Sequence, residues 1–161
     1  MDKLFVPKVI SLAAGLNVVA CAGREARTPA QPLDEGRVFA ALMGRIATGW
    51  NTGDAASAAD CFAEDAVYME PPDRQRYEGR GALFEFFGGH QRPPPKMSMT
   101  FHHLAFDAPT QTGFGEYTFE GSRRYHGIVV VKLRNGKVSR WREYQQMSPL
   151  PWEAFAGPSL F

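Results

Sequence analysis

Four consecutive stretches toward the C-terminal end narrow the fold of this chain more than any other feature. Met97–Asp107, Gly113–Glu120, Arg124–Leu133 and Val138–Gln146 are rich in Val, Phe, Tyr and Trp and are separated by turn residues, the pattern of strands joined in sequence. Asn135-Gly136 separates the last two. A two-residue turn that follows the twist of paired strands needs positive φ at both positions, which Asn-Gly supplies at least cost. The expectation is an antiparallel meander whose apolar face needs a cover from elsewhere in the chain.

That cover is readable upstream. Asp34 can cap a helix whose apolar positions Val38, Ala41, Leu42, Ile46 and Trp50 recur at steps of three and four before Asn51-Thr52-Gly53 ends it. Asp54 caps a short Ala-rich helix running to Phe62. Ala66–Met69 reads as a brief strand stopped by Pro71-Pro72-Asp73, and Arg80–Phe87 as a third helix closed by Gly88-Gly89 and Pro93-Pro94-Pro95. Helices first and strands after make the chain α+β. Three N-terminal helices packed on the concave face of a curved antiparallel sheet would enclose a cone open at one end. The tail, 148–161, carries Trp152 and Phe155, an aromatic pair suited to packing it onto the domain.

With 161 residues there is room for one such domain and not two. Eighteen Lys and Arg against seventeen Asp and Glu give a formal charge of +1, so no field selects nucleic acid or an anionic surface. Apolar residues make up 44% of the chain, with twelve Phe among them, which suits a bulky core or cavity wall and excludes a wholly disordered chain. No repeat and no metal-ligand spacing occurs. Neither a metal nor a cofactor is expected.

The N-terminus carries an address. Lys3 and Lys8 precede the uncharged run Val9–Ala20, a basic segment and an apolar core of signal-peptide length, too short to span a bilayer with ease. The run ends Val18-Val19-Ala20-Cys21, which resembles the bacterial lipobox. The resemblance implies cleavage before Cys21 and lipid on its thiol, making 1–20 a leader, 21–33 a Pro-broken tether and 34–147 the folded domain. The absence of Asp after Cys21 points to the outer membrane, facing the periplasm. An ordinary secretory signal cut near Ala20 or Ala22 is the alternative. Cys61, among Ala58, Ala59 and Phe62, reads as a small buried hydrophobe, with a disulfide to Cys21 as the other option in an oxidising compartment.

Four segments in order carry a family resemblance: Trp50-Asn51-Thr52-Gly53-Asp54; Cys61-Phe62-Ala63-Glu64-Asp65-Ala66-Val67; Tyr77-Glu78-Gly79-Arg80-Gly81-Ala82-Leu83 with Phe86-Phe87; and Gly127–Val138 with Trp141-Arg142-Glu143-Tyr144. Together, over about 33–146, they resemble the SnoaL-like branch of the nuclear transport factor 2-like superfamily. The resemblance implies a carboxylate inside an apolar cone, where desolvation makes it a better proton acceptor. Glu70, before Pro71, falls at the position of the isomerase-type general base; a solvated loop-edge residue is the plainer alternative. The isomerase's oxyanion-donor positions fall near Ile46 and Val129, both apolar, which argues against a ketosteroid isomerase. The buried Asp-Arg-Asp set of limonene epoxide hydrolase has no match on the strands.

The resemblance also turns Trp141 and Glu143 inward. A buried Glu143 needs a partner, and His126, His102 and Glu116 are the nearest candidates; a Glu with a His can work as an acid/base pair, or simply form a structural hydrogen bond. His102 and His103 are adjacent, so one at most faces in. Trp50, Tyr68, Phe84, Phe87, His102, Tyr117, Phe119 and Trp141 are the expected walls for a small apolar ligand. Three functions stay open: a cofactor-independent isomerase, cyclase or hydrolase; a non-catalytic module capturing a ligand or partner; and a structural dimer with a filled cone. The all-apolar strand around Gly127–Leu133 must be covered on both faces, which agrees with a homodimer through the outer face of the sheet.

Overall fold

The computed structural model describes residues 34–72, 74–94 and 96–159; the leader, Cys21 and the tether lie outside the described residues. Helix α1, Glu35–Thr52, starts because the Asp34 carboxylate accepts from the amides of Gly36 and Arg37, and stops at Gly53 with φ 71°. Its buried stripe is Phe39, Leu42, Met43, Ile46 and Trp50. Val38, expected inside, is 49% exposed, whereas Phe39 is 1% exposed, and Ala41 also faces out. The one-residue change of phase follows from a fit on the sheet: Phe39 stacks on Phe106 at 4.9 Å and lies over Gly113, where any side chain would collide with its ring.

Helix α2 is Ala55–Asp60, capped by Asp54, and α3 is Arg80–Phe86. Between them β1, Phe62–Glu70, is longer than the expected Ala66–Met69, and it is followed by β2, Gln75–Glu78, which was not expected. The four C-terminal strands are β3 Ser98–Asp107, β4 Thr112–Glu120, β5 Arg124–Arg134 and β6 Lys137–Met147. A fourth helix, α4, Trp152–Ala156, follows them.

The sheet order is β2-β1-β6-β5-β4-β3. The meander is antiparallel as expected, but the curved sheet as a whole is mixed, because β1 pairs parallel with β6. The meander leaves one edge of β6 unpaired, and unpaired ladder groups need a partner. The early strand β1 supplies it and is itself covered by β2, antiparallel, across the Pro71-Pro72 turn.

Asn135 and Gly136 both have positive φ, 52° and 72°, and set Arg134 opposite Lys137. One step along, Leu133 pairs with Val138 and Lys132 with Arg140, so Ser139 is the extra residue of a β-bulge. Its hydroxyl donates to the Lys132 carbonyl at 3.0 Å, which satisfies a group the bulge leaves open. Beyond Ser139 every β6 residue is offset by one from a straight count.

Helices α1 and α3 pack on one face. Trp50 of α1 meets Phe86 of α3, the capping Phe87 and Phe119 of β4, and Phe87 meets Phe62 of β1. Tyr68, Tyr117, Val129, Val131 and Trp141 are buried beneath. The other face carries Phe114, Ile128 and Tyr144, which are exposed. It is covered in part by α4, where Trp152 stacks on His102 with ring centroids 4.2 Å apart and Phe155 lies 4.4 Å from His126.

Candidate functional site

Glu143 enters the helix-covered side of the sheet opposite Val129 and is 3% exposed. The indole of Trp141, two residues back on the same strand face, donates to its Oε2 at 3.0 Å. Burial pushes the Glu143 carboxyl up from its ordinary value; the Trp141 indole and the hydroxyls of Tyr68 and Tyr117 oppose that rise by hydrogen bonding, and the Glu70 carboxyl adds to it. Burial first, and then the Glu143 carboxyl, raise both tyrosine hydroxyls, so they stay protonated.

Glu70, at the end of β1, is 5% exposed; a solvated loop edge does not describe it. Gln145 Nε2 donates to its Oε2 at 3.0 Å and Gln75 Nε2 at 3.5 Å. Arg74 pairs with Oε1 at 3.3 Å from the solvent side. The Tyr117 hydroxyl in turn donates to Gln145 Oε1 at 3.3 Å. A protonated Glu143 can donate to the Tyr117 oxygen, so the run Glu143, Tyr117, Gln145, Glu70 has a donor and an acceptor at every step.

Between these groups and the helices is a cavity of about 80 Å³. Trp50, Tyr68, Tyr117, Phe119 and Glu143 line it, as do Gln75, Phe86, Met97, Met99 and Gln145. Phe84, Phe87, His102 and Trp141 do not. Phe84 sits edge-on to His90, Phe87 is core, and Trp141 reaches the site only through Glu143. Ligand sites for drug-sized molecules run to about 300–1,000 Å³, so this one suits a molecule far smaller than a polycycle. A wider depression of about 880 Å³ lies between α1, α2 and the β5–β6 turn, but it is open, and its Lys137 ammonium is paired with Asp60 at 3.0 Å. Cys61 borders it with its thiol on the Ser57 carbonyl at 3.4 Å, and burial raises that thiol.

His126, His102 and Glu116 are on the other face. His126 is 1% exposed, yet what buries it is α4. His102 Nε2 lies 2.6 Å from Thr118 Oγ1, which lies 2.9 Å from His126 Nδ1, and His126 Nε2 lies 2.9 Å from the Leu150 carbonyl. The Leu150 carbonyl can only accept, so His126 carries its proton on Nε2, accepts from Thr118, and leaves Thr118 to accept from His102. Glu116 stands opposite His103 and Ile128. A second bulge, at His102, turns the His pair to this face. The structure therefore does not bring Glu143 and His126 together: the Ser139 offset sets them on opposite faces. Ile46 and Val129, both fully buried, keep the oxyanion-donor positions apolar.

Gln75, Phe86, Met97, Met99 and Gln145 escaped the sequence analysis. Parity with Glu143 could have found Gln145; the others carry no local signal.

Residues 44–141 match the family described as SnoaL-like domain. No curated protein matches the chain. Among solved structures, an NTF-2 like protein of unknown function from Burkholderia xenovorans LB400 is similar, with 18% identity, TM-score 0.59, and 78% of this chain and 97% of that one covered. A protein of unknown function with a cystatin-like fold from Methylobium petroleophilum PM1 reaches TM-score 0.62 at 18% identity over 73% and 80% of the two chains. An LEH-like epoxide hydrolase from M. tuberculosis reaches 0.60 at 14% over 70% and 85%. At such identities the likeness is one of fold.

Proposed function

This chain belongs to the SnoaL-like domain family, and on that premise we propose that its sheet and helices form a cone that binds a small, largely apolar molecule, with Glu143 as the acid/base group. The observation that carries this is Glu143 itself: a carboxyl 3% exposed, walled by aromatic rings and held above its ordinary pKa by burial. A carboxyl whose pKa is raised toward the working pH is a better-matched proton donor and acceptor than an ordinary one. Glu70, joined to Tyr117 through the Gln145 amide, is the second carboxyl, and it fixes the direction of that hydrogen-bond chain. The chemistry is cofactor-independent proton transfer.

Native mass spectrometry of the full chain purified from its own host identifies what the cavity holds. Glu143→Gln, nearly isosteric, then separates two outcomes. A loss of turnover of about 100-fold or more with the ligand still bound supports an acid/base role. Unchanged turnover with Glu143→Gln and with Glu70→Gln leaves a capture module. That second reading has its own support in the apolar Ile46 and Val129 at the expected oxyanion-donor positions.

We also place the protein at the cell envelope, exported by its leader and held by lipid on Cys21, facing the periplasm from the outer membrane. Cys21→Ala should move it from the membrane to the soluble fraction; retention at the membrane would refute the anchor. Phe114, Ile128, Val130 and Tyr144 share the open face of the sheet by register and support a homodimer through it. Ile128→Glu should turn a dimer into a monomer by sedimentation, and a wild-type monomer at all concentrations would end that proposal.

A further inference from the structure

Most of the donors that line the cavity beside Glu143 are engaged by protein groups. Trp50 Nε1 is bonded to Met97 Sδ at 3.1 Å. The Tyr68 hydroxyl serves Glu143, and that of Tyr117 serves Gln145 Oε1 at 3.3 Å. The amide nitrogens of Gln145 and Gln75 are turned to Glu70, at 3.0 and 3.5 Å. Each amide keeps a second N–H, but the unmet demand is for a donor: the Glu143 carboxyl can accept, and Gln75 Oε1 is the one buried side-chain polar atom without a partner among the described residues. The Gln75 amide is held in this sense by Glu70, since turning it over would set oxygen against oxygen.

A buried acceptor left unpartnered is a cost that a ligand donor recovers. A ketone, carboxylate or phosphate brings only more acceptors. An alcohol satisfies Gln75 and leaves the rest of the site unused. The rest is electrostatic: one carboxyl, Glu143, five aromatic rings and, among the lining residues, no Arg, Lys or His. Ring faces and a carboxylate both attract a cation. Resting on the pocket function proposed above, we infer that the ligand is a small protonated amine, an N–H on Gln75 Oε1 and its charge paired with Glu143. The cavity of about 80 Å³ is about half the volume of one that takes benzene, which limits the ligand to a short-chain amine.

The proton balance is explicit. An alkylammonium ion enters from neutral solution already charged, and burial raises the Glu143 carboxyl. Pairing with the ion favours the carboxylate, so the proton that Glu143 holds in the empty site leaves its O–H bond for solvent on binding, with no oxidation or reduction. The groups that face Glu143 are Tyr68 and Glu70 from β1, Tyr77 from β2, Tyr117 from β4 and Trp141 on its own strand. The helices bring only Trp50 and Phe86 to the cavity, neither of which titrates. The hydroxyls of Tyr68, Tyr77 and Tyr117 are all raised, so none of them is the source of the released proton.

Isobutylamine, isobutanol and isobutyrate share a shape and differ in charge and donors. Each is titrated calorimetrically into the full-length protein near pH 7, in two buffers of different ionisation enthalpy. Isobutylamine should bind saturably with a buffer-dependent heat that reports proton release, a result that needs no variant. Gln75→Met should weaken it about tenfold, and Glu143→Gln should weaken it further and abolish the buffer dependence. Isobutanol or isobutyrate binding as tightly as the amine would overturn the amine assignment while leaving the pocket function standing. Amine binding untouched by both substitutions would also overturn it. So would the absence of heat with all three, and a ligand mass found in the native protein would then judge the pocket function by itself.

Discussion

Trp141 and Glu143 stand two residues apart on β6, and the indole of the first donates to the carboxyl of the second at 3.0 Å with both side chains buried. The indole is fixed by stacking on Tyr68, with ring centroids 5.4 Å apart and planes 10° from parallel, so the donor is aimed before any charge appears. A hydrogen bond to the ionised form holds a carboxyl pKa down. Trp141→Phe keeps an aromatic ring there and removes the donor. Glu143 should then titrate at higher pH than in the wild type, followed by the carboxyl stretch in infrared difference spectra against Glu143→Gln. The lost bond should cost about 1–3 kcal/mol of stability. A Glu143 titration that moved to lower pH would contradict the role assigned to the indole.

Burial of Glu143 also sets a pH dependence for the whole fold. Its folded pKa lies above the ordinary value near 4.5, so the folded chain keeps this proton where the unfolded chain has lost it. Below about pH 4.5 both states are protonated and the residue contributes no penalty. As pH rises through that value and toward the folded pKa, stability is lost. Glu143→Gln removes this dependence. Its stability relative to wild type, from urea midpoints at a series of pH values, should rise from about pH 4 to pH 7; a constant difference would mean that Glu143 titrates alike in the folded and unfolded chain.

The tail is held by a different chemistry. The His102, Thr118, His126 run ends on the Leu150 carbonyl, and Trp152 covers His102. Burial, followed by the charge of His126, lowers the His102 pKa. Docking is therefore undiminished above the ordinary value near 6.5 and weakens as pH falls through it, because undocking exposes a His that protonates more readily. Hydrogen exchange at Ala154 and Phe155, corrected for intrinsic rate, should quicken between about pH 7.5 and 5.5 while that of β4 does not. Thr118→Val should produce the same quickening at the higher pH. Equal protection at both pH values would remove His102 from the latch.

Local signals in the sequence were sufficient for the caps at Asp34 and Asp54, the Asn135-Gly136 turn and the four C-terminal strands, since each depends on residues within a turn of each other. What local order does not carry is the non-local pairing. β1 joins β6 in parallel although some seventy residues separate Tyr68 from its partner Trp141, and β2, four mostly polar residues at an edge, has no periodicity to show. The phase of α1 was decided by a glycine on another element, Gly113 under Phe39. Glu70 looked like a loop residue because its burial comes from Gln145 and Gln75 and from no neighbour in sequence except Arg74. In the site itself the pairing of Glu143 with His126 fails by one residue of register. Counted straight back from the turn, Glu143 would face Ile128 and share a side with His126; Ser139 moves it opposite Val129.

That offset makes an unusual prediction about deletions. Ser139 is buried and Arg142 is exposed, so burial alone says that losing Ser139 is the worse injury. Register says the opposite. Removing Ser139 leaves Leu133 opposite Val138 and Lys132 opposite Arg140, now in unbroken alternation, with Trp141 and Glu143 still inward. The loss is one hydrogen bond to the Lys132 carbonyl and the local twist of the bulge, about 1–2 kcal/mol. Removing Arg142 leaves Trp141 in place but turns Glu143 and Gln145 out and Tyr144 in, breaking the bonds to Trp141 and Glu70 together. The Ser139 deletion should fold cooperatively and retain a carboxyl titrating above the ordinary Glu range in infrared spectra. The Arg142 deletion should lose that signal or fail to fold. If the Ser139 deletion is the one that unfolds, the bulge does more than correct the count, and the curvature it imposes on β6 is what the fold requires.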